Sequence, residues 1–159
     1  MSLSSLLHPL ALALHVLSVV IWVGGMFFAH RFLRPAAADV LEPPQRLTLW
    51  VQVFGRFFPW VWLSIVTLLV TGFGMMFGWF GGMQAPLYVH IMMGLGVVMM
   101  LIFMHVFFAP YRRLRQAVTD QDWKEGGRRL AQIRMLVGIN TLLGLGVIVV
   151  ATVGRFLLT

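Results

Sequence analysis

Four apolar stretches, each long enough to cross a lipid bilayer as a helix, constrain the fold of this chain more than any other feature. A crossing needs about 20 mostly apolar residues for a hydrocarbon layer of roughly 30 Å. The predicted spans are approximately 10–33, 57–80, 87–109 and 134–157. Lipid offers no partners for backbone polar groups and no alternating pattern indicates a barrel, so helices are predicted. The fold class is therefore all-α, an integral membrane four-helix bundle that forms a single domain over residues 1–159.

The composition agrees with a membrane protein and excludes several kinds of site. Of the 159 residues, 60% are hydrophobic and only 11% are charged, which is too apolar for a water-soluble domain of this length. Cysteine is absent, and this excludes disulfides, thiolate metal sites and iron–sulfur clusters. No basic segment precedes the first span, so a cleaved signal peptide is not expected.

The net charge is +7, and most of the basic residues lie in or directly beside the two connections 34–56 and 110–133, whereas the short connection Gly81–Pro86 carries no charge. Lys and Arg accumulate in cytoplasmic loops of membrane proteins. These two connections are therefore predicted to lie on the cytoplasmic side, with both termini on the outer side. Topology accounts for the basic residues, so nucleic acid is not an expected partner, whereas membrane lipid is.

Two of the predicted spans carry the same histidine pattern. His15 and His30 are fifteen residues apart in the first span, and His90 and His105 have the same separation in the third. These spans run in the same direction, so His15 matches His90 in depth and His30 matches His105, at two levels about 22 Å apart. An ionisable residue inside a membrane span indicates a functional site by default. His8 has no counterpart in the second half and is left out of the predicted site.

Two imidazoles at one depth on facing helices form the axial pair of a six-coordinate b-type haem. Without a Cys-x-x-Cys-His pattern, covalent haem attachment is excluded. We therefore predict two haems b, one between His15 and His90 and the other between His30 and His105. Such haems leave no open iron site, which favours electron transfer across the bilayer between a quinone-like or periplasmic partner, such as a cytochrome, and a second acceptor. Whether the chain is an enzyme, as an oxidoreductase, is left open.

Glycines and arginines complete this predicted haem site. Glycine lets a macrocycle approach a helix closely, although ordinary packing of small residues explains glycine in membrane helices equally well. Haem propionates need cations, and Arg56 is the first choice because it lies deepest along its own span. The predicted cofactor-binding residues are Gly24, Gly25, Gly94, Gly96, Arg31, Arg34, Arg56, Arg113 and Arg134. On the outer side the candidates are Arg155, Tyr88 and Gln84.

The histidine repeat and weaker similarity between the second and fourth spans predict a duplicated helical hairpin with parallel halves. For example, Val70–Gly74 in the second span corresponds to Ala151–Gly154 in the fourth. The glycine-rich helix faces would permit a homodimer.

Copper is the main alternative to haem. Imidazole binds copper and zinc, and thioether sulfur favours Cu(I). The chain has 11 methionines, with adjacent pairs at Met75–Met76, Met92–Met93 and Met99–Met100. Methionine also fills gaps in helix packing. Histidines at two separate levels favour haem over a single copper route.

The segment Leu14–Val16, followed by Trp22–Met26 (WVGGM), resembles the first helix of the copper-resistance D (CopD-like) membrane family. This resemblance extends over most of the chain and implies copper uptake or resistance in a bacterial inner membrane, where both termini would be periplasmic. The chain is also distantly similar to HemJ-type protoporphyrinogen oxidases, which implies haem-dependent oxidation of a small substrate. Its parallel helices with two histidines each resemble the haem-bearing helices of dihaem b-type cytochromes. Copper transport and substrate oxidation therefore stand as alternatives to electron transfer.

Overall fold

A computed structural model describes residues 3–158, and these residues are helical almost throughout, without a strand. The elements are α1 (Leu3–Phe28), a π-helical turn (Ala29–Leu33), α2 (Arg34–Val40), α3 (Pro43–Gly78), a short 3-10 turn (Gly82–Gln84), α4 (Leu87–Phe108), α5 (Pro110–Thr119) and α6 (Trp123–Leu157). The predicted all-α fold class is confirmed.

Four helical stretches are long and apolar enough to cross a membrane. They are Leu6–Val40, Pro43–Gly78, Leu87–Thr119 and Trp123–Leu157. Large apolar side chains cover their outer faces; Leu17 is 56% exposed and Val70 is 69% exposed. Exposed apolar surface on this scale needs an apolar partner, and lipid supplies it. The chain is a multi-pass membrane protein.

The first helical stretch continues past Pro35, beyond the predicted end of the first span near residue 33. Proline lacks an N–H for the helical ladder, and its ring clashes with the carbonyl four residues earlier. The π-helical turn Ala29–Leu33 ends two residues before this proline and widens the helix there. The helix ends instead at Leu41, whose backbone is extended. α3 then begins with a reciprocal cap between Glu42 and Gln45.

The long helices pair as two hairpins. α1 packs along α3 and α4 packs along α6, while α6 also contacts α1 and α3. Within the described chain the backbones of α1 and α4 do not approach each other closely, and these helices lie diagonally across the bundle. Their side chains still meet at its centre, where the Trp22 and Phe103 rings are 6.2 Å apart between centroids. The closest neighbours are the two helices within each hairpin. The duplication of the hairpin and the side on which the termini lie stay predictions.

Aromatic side chains fill the half of the bundle that carries the basic connections, which we call the basic end. The Phe58 ring lies 5.3 Å from the Phe103 ring and 4.8 Å from the Tyr111 ring, between centroids, in edge-to-face arrangements. Trp62 also packs on Phe103, at 5.2 Å. Aromatic pairs of this kind add about 0.5–1.5 kcal/mol beyond their buried area. This aromatic cluster joins α3, α4 and α5.

A glycine at the crossing of three helices leads to a prediction about stability. A Cβ atom at Gly144 on α6 would lie 2.7 Å from Val23 Cγ2 on α1 and 3.1 Å from Met99 Cε on α4. We expect Gly144→Ala to destabilise the protein by about 1–3 kcal/mol, because the β-branched valine cannot move aside without shifting its helix. Unfolding of the purified protein in mixed detergent micelles measures this change.

The matched control is Gly146→Ala on the same helix, because a Cβ atom there meets nothing within 4 Å. This control should be neutral or slightly stabilising, since alanine has the higher helix propensity. Equal destabilisation by both substitutions would contradict the close approach of helices at Gly144.

Candidate functional site

A cavity of about 660 Å³ lies between the helices at the end of the bundle opposite the basic end. Each of the four long helices contributes to its wall. The lining is notable for six methionines and two histidines, which are Met75, Met76, Met92, Met93, Met99, Met100, His8 and His15. We call it the methionine cavity. Thioether sulfur and imidazole nitrogen are ligands that suit Cu(I).

The hydrogen bonds of His15 determine which of its ring nitrogens carries the proton. The Thr71 hydroxyl donates its single hydrogen to the Thr67 carbonyl at 2.6 Å. His15 Nδ1 lies 2.8 Å from Thr71 Oγ1, so in this pair the Nδ1–H donates and the hydroxyl oxygen accepts. The neutral ring then keeps a lone pair on Nε2. Metal-binding histidines are held in this way, with the second ring nitrogen donating to a fixed acceptor.

The position of the His15 ring depends on a small residue in α3. A Cβ atom at Gly72 would lie only 3.3 Å from His15 Cε1, so the ring packs directly on the α3 backbone. The neighbouring Thr71 supplies the hydrogen-bond acceptor. Gly72 therefore leaves space for the His15 imidazole, and Thr71 beside it orients the ring.

His8 is a second imidazole of the methionine cavity, and the sequence analysis left it out. It precedes His15 by seven residues, two helical turns, which brings both to similar faces of α1. Its ring packs edge-on against Trp79, with 4.6 Å between centroids. Its Nδ1 is buried and has no hydrogen-bond partner among the described residues. A buried polar atom of this kind is rare without a ligand or water.

The other predicted histidines lie outside this cavity. His90 is half-buried on α4 but does not line the cavity, and His105 is exposed. His30 packs on α6, where a Cβ atom at Gly138 would lie 3.1 Å from His30 Cε1. Neither described cavity includes both members of a predicted pair. Residues 3–158 also contain no group of three or more His, Cys, Asp or Glu side chains placed to hold a metal.

Of the four predicted glycines, two line a cavity between the helices and two lie on the surface. Gly96 lines the methionine cavity. Gly25 faces α3, where an added Cβ atom would lie 2.4 Å from Phe57 Cε2 and would displace that ring. Gly24 and Gly94 are exposed, and an added Cβ atom would meet nothing within 4 Å.

The predicted arginines also divide into two groups. Arg56 and Arg113 are exposed, and neither lines a described cavity. Arg31, Arg34 and Arg134 lie near His30 at the basic end. Of the outer candidates, Arg155 and Tyr88 line the methionine cavity, whereas Gln84 is exposed and does not.

A second, smaller cavity of about 190 Å³ lies towards the basic end, and we call it the apolar slot. Its wall is mostly apolar and includes Ala29, Leu33, Phe57 and Val137. Asn140 also lines it, and the Asn140 Oδ1 is buried without a hydrogen-bond partner among the described residues. Trp22 lines both cavities and is 2% exposed. The indole of Trp22 therefore stands between the methionine cavity and the apolar slot.

The chain matches a family of known proteins over most of its length. The family described as "CopD: Copper resistance protein D" matches residues 51–153. The matched segment contains Thr71 and all six methionines of the cavity, while His8 and His15 precede it. No curated protein and no solved structure matches the chain.

Proposed function

Because this chain belongs to the copper resistance protein D family, we propose that it handles copper in the membrane and binds Cu(I) in the methionine cavity. His15 Nε2 would be the nitrogen ligand, and thioether sulfurs of the surrounding methionines would complete the coordination. Soft thioether and imidazole donors of this kind suit Cu(I).

The observation that carries this proposal is the hydrogen bond between His15 and Thr71. It leaves Nε2 unprotonated on a side chain that lines a cavity with six methionines. A metal ligand gains basicity and orientation from such a partner.

The distribution of charge suggests the direction from which copper reaches the cavity. The methionine cavity lies opposite the basic end, and basic connections favour the cytoplasmic side. In this orientation the cavity would be nearer the periplasm of a bacterial inner membrane. Trp22 and the aromatic cluster lie between it and the cytoplasmic side, so onward movement of copper would require the helices to repack there.

A single haem b in the same cavity is the second candidate. Its volume of about 660 Å³ exceeds the needs of one copper ion and falls within the range of cofactor sites, about 300–1,000 Å³. His15 would supply one axial ligand, and Arg155 would face the propionates. His90 does not line the cavity, so a methionine would have to replace it as the second ligand.

Metal and haem analysis of one purified sample distinguishes the two candidates. Cells should be supplied with both copper and haem, and the protein purified in mild detergent. We expect a constant ratio of bound copper to protein, and we expect the protein to compete with a Cu(I)-specific chelator for the metal. No visible absorption band should appear after dithionite reduction. A low-spin reduced haem spectrum without bound copper would contradict the copper proposal and support the haem candidate.

A further inference from the structure

Three arginines, Arg31, Arg34 and Arg134, lie near His30 at the basic end, and neither proposed function uses them. His30 packs on Gly138, so the π-helical turn lies directly against α6. Arg34 follows His30 by four residues and Arg134 precedes Gly138 by four residues. Because the two helices run in opposite directions, both arginines lie one turn nearer the basic end than this contact. They are therefore side by side on neighbouring helices.

Arg46, in the first turn of α3, and Arg31 complete the group, which we call the arginine cluster. The start of α3 is held against α6, since a Cβ atom at Gly126 would lie 3.0 Å from Leu47 Cδ1. Arg34 and Arg46 both act electrostatically on Arg134, and Arg31 acts on His30. Arg46 and Arg134 are half-buried. Three separate segments thus direct positive charge to one place.

No carboxylate forms an ion pair with the arginine cluster within residues 3–158. The two ion pairs there both involve Glu125, which binds Arg128 and Arg129 further along the basic end. Gathered cations repel each other, and half-buried ones are screened poorly by salt. An anion would relieve this repulsion. Guanidinium groups match the geometry of phosphate oxygens in particular.

The apolar slot begins beside the arginine cluster. Ala29 and Leu33, from the same π-helical turn as His30, form part of its wall, and so does Val137 next to Gly138. Phe28 also lines the slot and is 58% exposed, so the slot reaches the lipid-facing surface. Cavities of about 150 Å³ with apolar walls stay dry and accept apolar guests. The slot of about 190 Å³ is therefore suited to hydrocarbon.

We propose that this region binds an anionic phospholipid, with its phosphate on the arginine cluster and part of one acyl chain in the apolar slot. The two halves of the site match the two halves of such a lipid, and they meet at the depth where headgroup and chain join. A soluble phosphate would use the arginines but not the slot. Basic pockets between membrane helices bind anionic headgroups by this means.

Lipid binding to the intact protein in mild detergent tests the headgroup half. The probes are dioleoyl phosphatidylglycerol, dioleoyl phosphatidylcholine and inorganic phosphate, with bound lipid counted by native mass spectrometry. We expect phosphatidylglycerol to be preferred over phosphatidylcholine. Arg34→Gln should weaken its binding about five-fold, and Arg34→Gln with Arg134→Gln about thirty-fold. Arg34 is exposed, so the single variant should fold even if the double variant does not.

Arg113→Gln is the matched control, since it removes one exposed positive charge at the same end, on α5. It should leave phosphatidylglycerol binding unchanged. Equal losses in Arg34→Gln and Arg113→Gln would show attraction to overall charge and overturn the site. Displacement of the lipid by inorganic phosphate at similar concentration would also overturn the proposal, because the site would then take a soluble anion.

A second pair of variants tests the acyl-chain half. Ala29→Phe fills the slot, whereas Ala13→Phe adds the same ring to an exposed position of α1. We expect Ala29→Phe to lose bound phosphatidylglycerol and Ala13→Phe to keep it. Unchanged binding in both would contradict a chain in the slot. Far-UV circular dichroism and the elution profile in detergent, neither of which depends on the proposed copper site, check that each variant is folded.

Discussion

The variant His15→Ala is expected to lose Cu(I) binding, with affinity reduced by at least about a hundredfold. Removing a metal ligand should cost more than removing the group that orients it, which typically costs about 10–100-fold. The remaining thioethers are neutral, weaker donors and cannot replace the imidazole. A competition titration against a Cu(I)-specific chelator measures the change in the purified protein. Growth of cells in graded copper provides the corresponding test in vivo.

The matched control is His105→Ala. His105 occurs in the same sequence pattern as His15, but it is exposed and does not line the methionine cavity. Its loss should leave the Cu(I) affinity unchanged. If both variants lost copper equally, copper binding would depend on the repeated histidines and not on the residues that line the cavity. The proposed ligand would then be wrong.

The next largest effect is expected from Thr71→Val. Valine has nearly the shape of threonine but offers no acceptor to His15 Nδ1–H, so the proton is no longer held there. Either ring nitrogen can then carry it, and the ring loses its orientation. Cu(I) affinity should fall about 10–100-fold. The same titration measures this fall, and nitrogen NMR of a sample labelled at histidine reports the change in tautomer.

Two controls separate this effect from general damage to α3. Thr71→Ser keeps the hydroxyl and should bind copper nearly as the natural protein does. Thr67→Val removes a hydroxyl one turn away but keeps the backbone carbonyl that accepts from Thr71. It should therefore leave copper binding unchanged. Normal affinity in Thr71→Val would show that the hydrogen bond has only a structural role.

The spans could be predicted from sequence because burial in lipid requires long apolar stretches, whatever the packing. The helix against which each histidine packs could not be predicted in this way. A spacing of fifteen residues gives the depth of His15 and His30, but it gives the facing direction only relative to each other. A helix that is apolar on all sides has no polar stripe to reveal its inner face. Thus His15 faces α3, His30 packs on α6, and His105 is exposed.

The candidate site shows the same limit. Met92 and Met99 are two turns apart, as are Met93 and Met100, so a shared face of α4 could be read from the sequence. Methionine is equally common as an ordinary packing residue, however. The sequence alone does not show that these methionines line a cavity. Depth alone also favoured Arg56 for the predicted haem site. Phe54 and Phe58, two residues before and after it, occupy the core-facing positions and leave Arg56 exposed.

The aromatic cluster has a mechanical consequence for the whole molecule. It fastens the two hairpins together near the basic end, while the opposite end encloses the methionine cavity. The short connection 79–86 links the same two hairpins at the cavity end, so the pair is tied at both ends. The methionine cavity and the arginine cluster therefore lie at opposite ends of one braced bundle. A copper ion in the first and a phospholipid in the second, as proposed, would not compete for the same space.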